Sequence, residues 1–574
     1  MARFFFRLLS VCSVFFFCGL SNARAEPEPL GPLEPFWRHS AALGPYLETG
    51  YYLREIPGFM GKGDFPYRRR PYPKEVPYAD HLSVVRPLGG CKSNPRVLRN
   101  HEVDSIKEID LVYRREDGSL GYRLHLLEPR LRPLLDHGYT DLTFVLDNVP
   151  YALVDEPSMG PFGQSAPPSD SEEWRAFVSA VCGELKRLLG PGGEDGLRFR
   201  LGTEMNSRAR FDGTQEEFLG FYDASLEAVR EHFPEAPFGI FNMAGTGTWS
   251  VVEHYNVKPL DVADFAARRP ERSRPPSLDY RWAAMSRYYH VSDDPVRRTE
   301  EAVAVWDLLD EGVPDELSPL RREIHEFGIA PFGETAKGQF VSAEPGVLGA
   351  ATLATILWKL QEGGIDRLWH WQVFDKFRDA DNRLQYFPTG EAWLYQVMES
   401  FVGPQSWLIG PDEVESAVEC TVLGGASEGE SGRQLMLVAR PENAADRGEA
   451  TVTLELPRGW SVGAVKDLRF AELTAANSPF DFLRRRLAEE DLLEKAFEER
   501  PGRLGRVREM GAGRAAERLA GAAIRKMEAL WLDSMTLRSC GSESFRFRAS
   551  GRELQVRLPV PSVLVLHWPD KQAD

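Results

Sequence analysis

The sequence predicts an α/β chain: a (β/α)₈ TIM barrel followed by a C-terminal β-sandwich that carries a helical insertion. Three observations predict it. From about residue 36 to 405, short apolar runs alternate with longer helical patterns, the mark of βα units around a parallel sheet. Past 405 the runs become strand-like, as in 434–439 (QLMLVA), 450–456 (ATVTLEL) and 554–567 (LQVRLPVPSVLVLH). A charge-rich helical pattern at about 480–532 interrupts them. The expected domains are therefore 36–405 for the barrel and 406–574 for the sandwich with its insertion.

The barrel elements follow in order. The clearest strands are 81–90 (HLSVVRPLGG), 141–147 (DLTFVLD), 198–203 (RFRLGT), 238–243 (FGIFNM), 322–327 (REIHEF) and 367–371 (RLWHW), with weaker ones at 36–47 and 278–290. Between them apolar residues recur at helical spacing. Trp174, Phe177, Val178, Val181, Leu185 and Leu188 mark one helix, starting near Ser171 with Glu172 and Glu173 in its first turn. Phe218, Phe221, Tyr222, Leu226 and Val229 mark the next, and a third runs from Val347 to about Leu360. Eight such units suit a barrel with long loops. The alternative, an open doubly wound sheet, usually carries a Gly-rich phosphate turn, and no GxGxxG occurs.

The first residues set the compartment. Arg3 and Arg7 precede an apolar run from Leu8 to Leu20, and Ala23-Arg24-Ala25 supplies a small-x-small cleavage pattern. That run is shorter than the roughly 20 residues a membrane span needs. Residues 1–25 are expected to be a signal peptide removed near Ala25, which exports the chain to a periplasmic or extracellular space. No later stretch is apolar enough to cross a membrane.

The formal charge of −17 becomes more negative once Arg3, Arg7 and Arg24 leave, and such a surface repels polyphosphates. Nucleic acid is therefore not an expected partner, whereas neutral sugars are compatible. Four cysteines remain after the leader: Cys91, Cys182, Cys420 and Cys540. None has metal-ligand spacing. Cys182 falls on the apolar face of a helix and reads as a buried thiol, while Cys420 and Cys540 are a candidate bridge. There is neither an HExxH motif nor a His/Asp ligand cluster, so no metal or cofactor is expected. Nothing in the sequence fixes the oligomeric state.

In a (β/α)₈ barrel the active site lies at the C-terminal ends of the strands. Two apolar strands run straight into a glutamate there: Arg198-Phe-Arg-Leu-Gly-Thr203-Glu204 and Arg322-Glu-Ile-His325-Glu326. They lie three βα units apart, at the expected fourth and seventh strands, across the barrel mouth. Glycosidic cleavage needs two carboxyl groups flanking the bond, and a separation of about 5–5.5 Å gives retention through a covalent glycosyl-enzyme. Glu204 is the candidate acid/base and Glu326 the candidate nucleophile. Candidate substrate-binding residues at other strand ends are Arg86, Asp147, Asn148, Thr203, Trp249, Tyr288, Trp369 and Trp371. Trp369 and Trp371 flank His370, and alternation turns both to one face, where a ring can stack on a sugar. By the same alternation His325 and His370 point away from the cleft and read as structural.

A resemblance runs through about residues 36–403. Phe36-Trp37-Arg38 with Ala42-Leu43-Gly44, Val112-Tyr113 with Asp117-Gly118 and Tyr122-Arg-Leu, and Val145-Leu-Asp147-Asn148-Val149-Pro150 after the 131–138 helix follow one another in order. Gly213-Thr214 with Phe218 to Tyr222, and Gly390-Glu391-Ala392-Trp393 running on to Gly403, complete the series. In this order the chain resembles glycoside hydrolase family 39, the β-xylosidase and α-L-iduronidase group. The resemblance implies a barrel with catalytic glutamates on strands four and seven, at Glu204 and Glu326. That family carries Asn before and Pro after its acid/base, where this chain has Thr203 and Met205. Its Arg-x-His-Gly on the second strand is here Arg86-Pro87-Leu88-Gly89. The expected function is a retaining glycosidase acting on exported or environmental oligo- or polysaccharide. The alternative, motivated by Thr203 and Met205, is a carbohydrate-binding protein derived from such a barrel that has lost turnover.

Overall fold

The computed structural model describes most of residues 110–244, 282–329, 345–490 and 511–568, together with short strands at 29–33, 37–39 and 84–85. The leader, Cys91 and the candidate site residues Arg86, Trp249 and Trp371 lie outside the described residues.

The apolar runs of the first part form two parallel sheets. One orders Val84–Val85, Thr143–Leu146, Arg198–Leu201 and Phe238–Ile240. The other orders Met243–Ala244, Trp282–Tyr289, Arg321–Ile329, Arg367–His370 and Trp37–His39. Spatial order follows chain order, and the last of these strands pairs with Trp37–His39, which opens the series. Side chains also cross from one sheet to the other. Arg198 reaches Glu323 and Arg200 reaches His325, so the two arcs face each other.

The strands are buried on both sides, as their near-continuous apolar character requires. Phe144, Phe199, Ile324 and Phe327 join an apolar cluster with the helices, while Val145 and Trp369 form a small cluster of their own. The Ser171–Leu189 helix begins where its sequence predicts. Asp170 caps it by accepting from the Glu172 and Glu173 amides, and the apolar positions read from the sequence are all buried. Thr214 and Glu217 form a reciprocal capping box at the start of the Gln215–His232 helix. The Val347–Glu362 helix is apolar almost all round and correspondingly enclosed.

Neighbouring helices Pro295–Gly312 and Gly390–Met398 cover part of that helix, and the second part of the chain covers more of it. A seven-stranded antiparallel sheet runs in the order Pro29–Leu33, Gly403–Ile409, Cys420–Gly429, Gly432–Pro441, Ser562–Trp568, Arg469–Thr474, Arg538–Ser539. Along Gly432–Pro441, Met436 and Val438 join the cluster of the Val347–Glu362 helix. Leu435, Leu437 and Ala439 join a second cluster with Ala450, Val452 and Leu454 of a four-stranded sheet. The apolar run at 434–439 thus reports a strand covered on both faces, and the alternating run at 450–456 one covered on a single face. Gly425 is where the helix presses closest: a Cβ there would lie 2.9 Å from the Trp358 ring. Buried Arg440 ties the two parts, donating to Thr352 Oγ1 and to the Asp293 carbonyl.

The insertion comprises the Pro479–Glu489 and Gly511–Met535 helices. Phe480, Leu483, Leu487, Met527, Trp531 and Met535 are buried in the main apolar cluster, and Phe480 and Trp531 both pack edge-on against Phe387. Asp481 accepts from the Val347 amide at 2.8 Å, so the insertion supplies the N-terminal cap that Gly346 cannot. Of the basic residues in this segment, Arg518, Arg525 and Lys526 are exposed on the second helix. Cys182 is buried, as expected. Cys420 is a free thiol, so the candidate 420–540 bridge is not formed. Among the described residues no helix is long and apolar enough to cross a membrane, and no group of three potential metal ligands occurs.

Candidate functional site

The Arg198–Leu201 strand ends in Gly202, whose φ of 75° turns the chain sharply. A Cβ at Gly202 would sit 2.1 Å from the Met205 sulfur, so only glycine allows Met205 to fold back beneath the turn. Glu204 follows with φ of 49°, the one non-glycine residue with positive φ among those described. This left-handed backbone is held from several sides. The Glu204 amide donates to the Asn242 carbonyl at 3.0 Å, the Ser207 amide donates to the Glu204 carbonyl at 2.8 Å, and Asn206 Oδ1 accepts from the Ala244 amide. The half-buried Glu204 carboxylate lies 3.6 Å from Arg210 Nε.

The rim continues from Asn242, whose side-chain amide donates to Ser286 Oγ at 2.6 Å. Ser286 stands opposite Glu326 in the pairing of the Trp282–Tyr289 and Arg321–Ile329 strands. Two residues further on, Tyr288 donates its phenolic hydrogen to Glu326 Oε2 at 3.1 Å. Burial first, then the negative charges of Glu326 and Glu204, push the Tyr288 phenol well above its ordinary value of 10. It therefore stays a hydrogen-bond donor throughout the physiological range. Both glutamates thus act on one phenol, with Arg210 beside them as the opposing charge.

Beneath this rim lies a buried polar chain. Arg198 donates to Thr143 Oγ1 at 3.0 Å and to Glu323 Oε1 at 2.7 Å. Glu323 Oε2 meets His325 Nε2 at 2.6 Å, His325 Nδ1 meets Arg200 Nη1 at 2.7 Å, and Arg200 Nη2 donates to Thr203 Oγ1 at 2.8 Å. Burial would push the Glu323 carboxyl up, but the Arg198 guanidinium and the His325 N–H outweigh it and hold it at about 2. His325 is driven down to about 3, by burial first and then by the neighbouring guanidiniums against the pull of Glu323.

His325 corrects the alternation reading. Relative to both neighbours its strand holds one extra residue: Met285 and Ser286 pair with Ile324 and Glu326, and Leu368 and His370 pair with Ile324 and Phe327. Ile324 and Phe327 both join the helix-side cluster although they are three apart. The bulge turns His325 and Glu326 together to the other side, so His325 faces inward. His370 keeps the structural role expected of it, bonded to the Tyr395 hydroxyl at 2.7 Å and 3.2 Å from Glu391.

The remaining site expectations fare differently. Trp369 faces inward but is fully buried, under the Arg198 guanidinium at 5.0 Å and edge-on to His325. It is a packing element in place of the open sugar platform expected. Asp147 and Asn148 are buried past the end of the Thr143–Leu146 strand, and the Asn148 amide donates to the Gln164 carbonyl. Thr203 is buried with its oxygen engaged by Arg200. The sequence reading passed over Arg200, Arg210, Asn242 and Glu323. The available signal was a pair of charged residues at period two inside each of two apolar strands, Arg198/Arg200 and Glu323/His325.

A scan against protein-family profiles finds no match. An α-1,4-L-rhamnosidase of Formosa agariphila is 22% identical over 316 residues, covering 53% of this chain and 60% of that protein. The chain thus spans about three fifths of the length of the curated relative it matches. Among solved structures, a family 39 β-xylosidase of Caulobacter crescentus superposes with a TM-score of 0.54 at 11% identity, over 95% of this chain and 98% of that one. A family 39 enzyme of Xanthomonas axonopodis pv. citri gives 0.51 at 12% identity, over 96% and 99%. The chain therefore has the fold of glycoside hydrolase family 39, in a divergent form.

Proposed function

We propose that this chain is a retaining glycoside hydrolase, with Glu204 as acid/base and Glu326 as nucleophile. The observation that carries the reading is Tyr288: its phenol bonds Glu326, inside the Arg321–Ile329 strand, and feels the charge of Glu204, just past the end of the Arg198–Leu201 strand in the facing sheet. In this reading the two arcs are the halves of one eight-stranded barrel over 36–405, and the two antiparallel sheets form a sandwich over 406–574 that also takes in residues 403–405 and the edge strand Pro29–Leu33. Tyr288 engages Glu326 Oε2 and fixes the rotation of the carboxylate for attack on the anomeric carbon. Glu204 protonates the departing oxygen, then takes a proton from the water that releases the sugar. The leader directs this activity outside the cytoplasm, and N-terminal sequencing of exported protein should begin at Glu26.

The names of the similar proteins make L-rhamnosides and D-xylosides the first substrates to try. Glu326→Gln should abolish turnover of every substrate. Glu204→Ala should spare the first step on aryl glycosides with acidic phenols, and azide should restore turnover as a glycosyl azide of retained configuration. An azide product of inverted configuration, or Glu326→Gln retaining activity, refutes the assignment. A second reading, binding without turnover, is favoured by Thr203, which is buried against Arg200 where the family carries Asn. It prevails if the wild type cleaves nothing yet binds glycans and both glutamate variants bind equally well.

A further inference from the structure

The chain from Thr143 through Arg198, Glu323, His325 and Arg200 to Thr203 joins the Arg198–Leu201 and Arg321–Ile329 strands, which share no backbone hydrogen bond, and takes in Thr143 of a third. Its central link is a histidine whose protonation the geometry dictates. A guanidinium can only donate, so His325 Nδ1 must accept from Arg200. The Glu323 carboxylate accepts, so His325 Nε2 must carry the hydrogen. All of these side chains are buried, and the ring is clasped edge-on by Trp369 at 4.6 Å.

Two links of the chain, Thr203 at one end and His325 at its centre, each stand one residue before a glutamate. Thr203 precedes Glu204, whose left-handed backbone persists only while its surroundings impose it. His325 precedes Glu326, and the bulge puts both on one side of the strand. We propose that His325, as the neutral Nε2–H tautomer, is a positioning residue that sets Glu204 and Glu326 relative to each other. It does so through Arg200 and Thr203 toward one and through the bulge toward the other. This rests on the glycosidase reading of the two glutamates. His325 transfers no proton in the reaction. Burial and the Arg198 and Arg200 charges keep it neutral at any working pH, and Arg367 adds a further positive charge acting on Glu323.

The test has two arms on the full chain. In the first, imidazole ¹⁵N resonances should show His325 as neutral Nε2–H from pH 4 to 9; a titration between pH 5 and 8, or the Nδ1–H tautomer, overturns the proposal. In the second, His325→Leu should lower kcat on aryl glycosides by about 100-fold with KM within about threefold, the scale expected when reacting groups are misplaced. His325→Gln, which can accept from Arg200 and donate to Glu323, should recover most of that loss. A Leu variant that melts earlier but keeps its kcat shows a purely structural histidine and refutes the proposal. If the wild type hydrolyses no glycoside, the glycosidase reading fails by itself. Crystal structures of the wild type and His325→Leu then decide: a changed separation of the Glu204 and Glu326 carboxyls supports positioning, and an unchanged one overturns it.

Discussion

Glu323→Gln keeps the shape of a buried side chain and removes only its charge, taking away the carboxylate that lies 2.7 Å from the Arg198 guanidinium. Both side chains are out of solvent, so screening does not weaken their attraction. Two routes give the size of the loss. A carboxyl held at about 2 in place of its ordinary 4.5 contributes about 3 kcal/mol at neutral pH. Breaking a buried ion pair by removing one partner typically costs about 3–5 kcal/mol. Because the folded value is depressed, the contribution is complete above pH 4.5 and is lost as pH falls through 2. The variant should therefore melt on the order of 5 °C lower than the wild type at pH 7, with the gap falling to roughly half at pH 3. Thermal melts at the two pH values, read on the transition of the parallel-sheet part, measure it. A gap that does not narrow on acidification, or a loss below about 1 kcal/mol at pH 7, refutes the electrostatic account. As a cross-check, Arg198→Met with Glu323→Leu together should cost less than Glu323→Gln alone, since both charges leave the interior together.

Gly202→Ala should destabilise the chain by about 2 kcal/mol or more, because it adds a left-handed penalty to a clash with Met205. Unchanged urea midpoints would show that the turn does not need glycine. Asp481→Ala should cost about 1 kcal/mol by uncapping the Val347–Glu362 helix. Asp481→Asn should retain most of that stability, and equal midpoints for wild type and the Ala variant would rule out the cap.

Where a local pattern sufficed, the fold was legible. The helix at 171–189 followed from its apolar spacing, and the placing of Glu204 and Glu326 about one phenol from apolar strands that carry an acid near their C-terminal ends. Thr214-x-x-Glu217 is an equally local signal, since both halves of the capping box lie within four residues. The inward turn of His325 was not legible, because period-two alternation holds only until a bulge. Nothing in REIHEF marks one; the extra residue shows only against both neighbouring strands. Trp369 shows a different limit. Alternation gave its direction but not its depth, and its contact with Arg198, the first residue of its strand, places it low in the sheet, away from the rim. The partners in the buried chain lie 125 residues apart in sequence, beyond the reach of any window. The strand at 29–33 is not legible in PLGPL, whose two prolines a sheet accepts only at its edge, where this strand lies.

That strand has a consequence for how the chain is assembled. Pro29–Leu33 pairs with Gly403–Ile409, so Leu33 lies opposite Gly403 and the whole parallel-sheet segment is a loop drawn shut at its neck. Closing a flexible loop of roughly 370 residues costs on the order of 5 kcal/mol in chain entropy beyond a constant. The ladder at the neck can therefore form stably only after the segment within it has condensed. Residues 29–33 can take this pairing only once residues 403–409 have been synthesised. A cut at 405 passes through the fastening itself, dividing the Gly403–Ile409 strand that pairs with Pro29–Leu33.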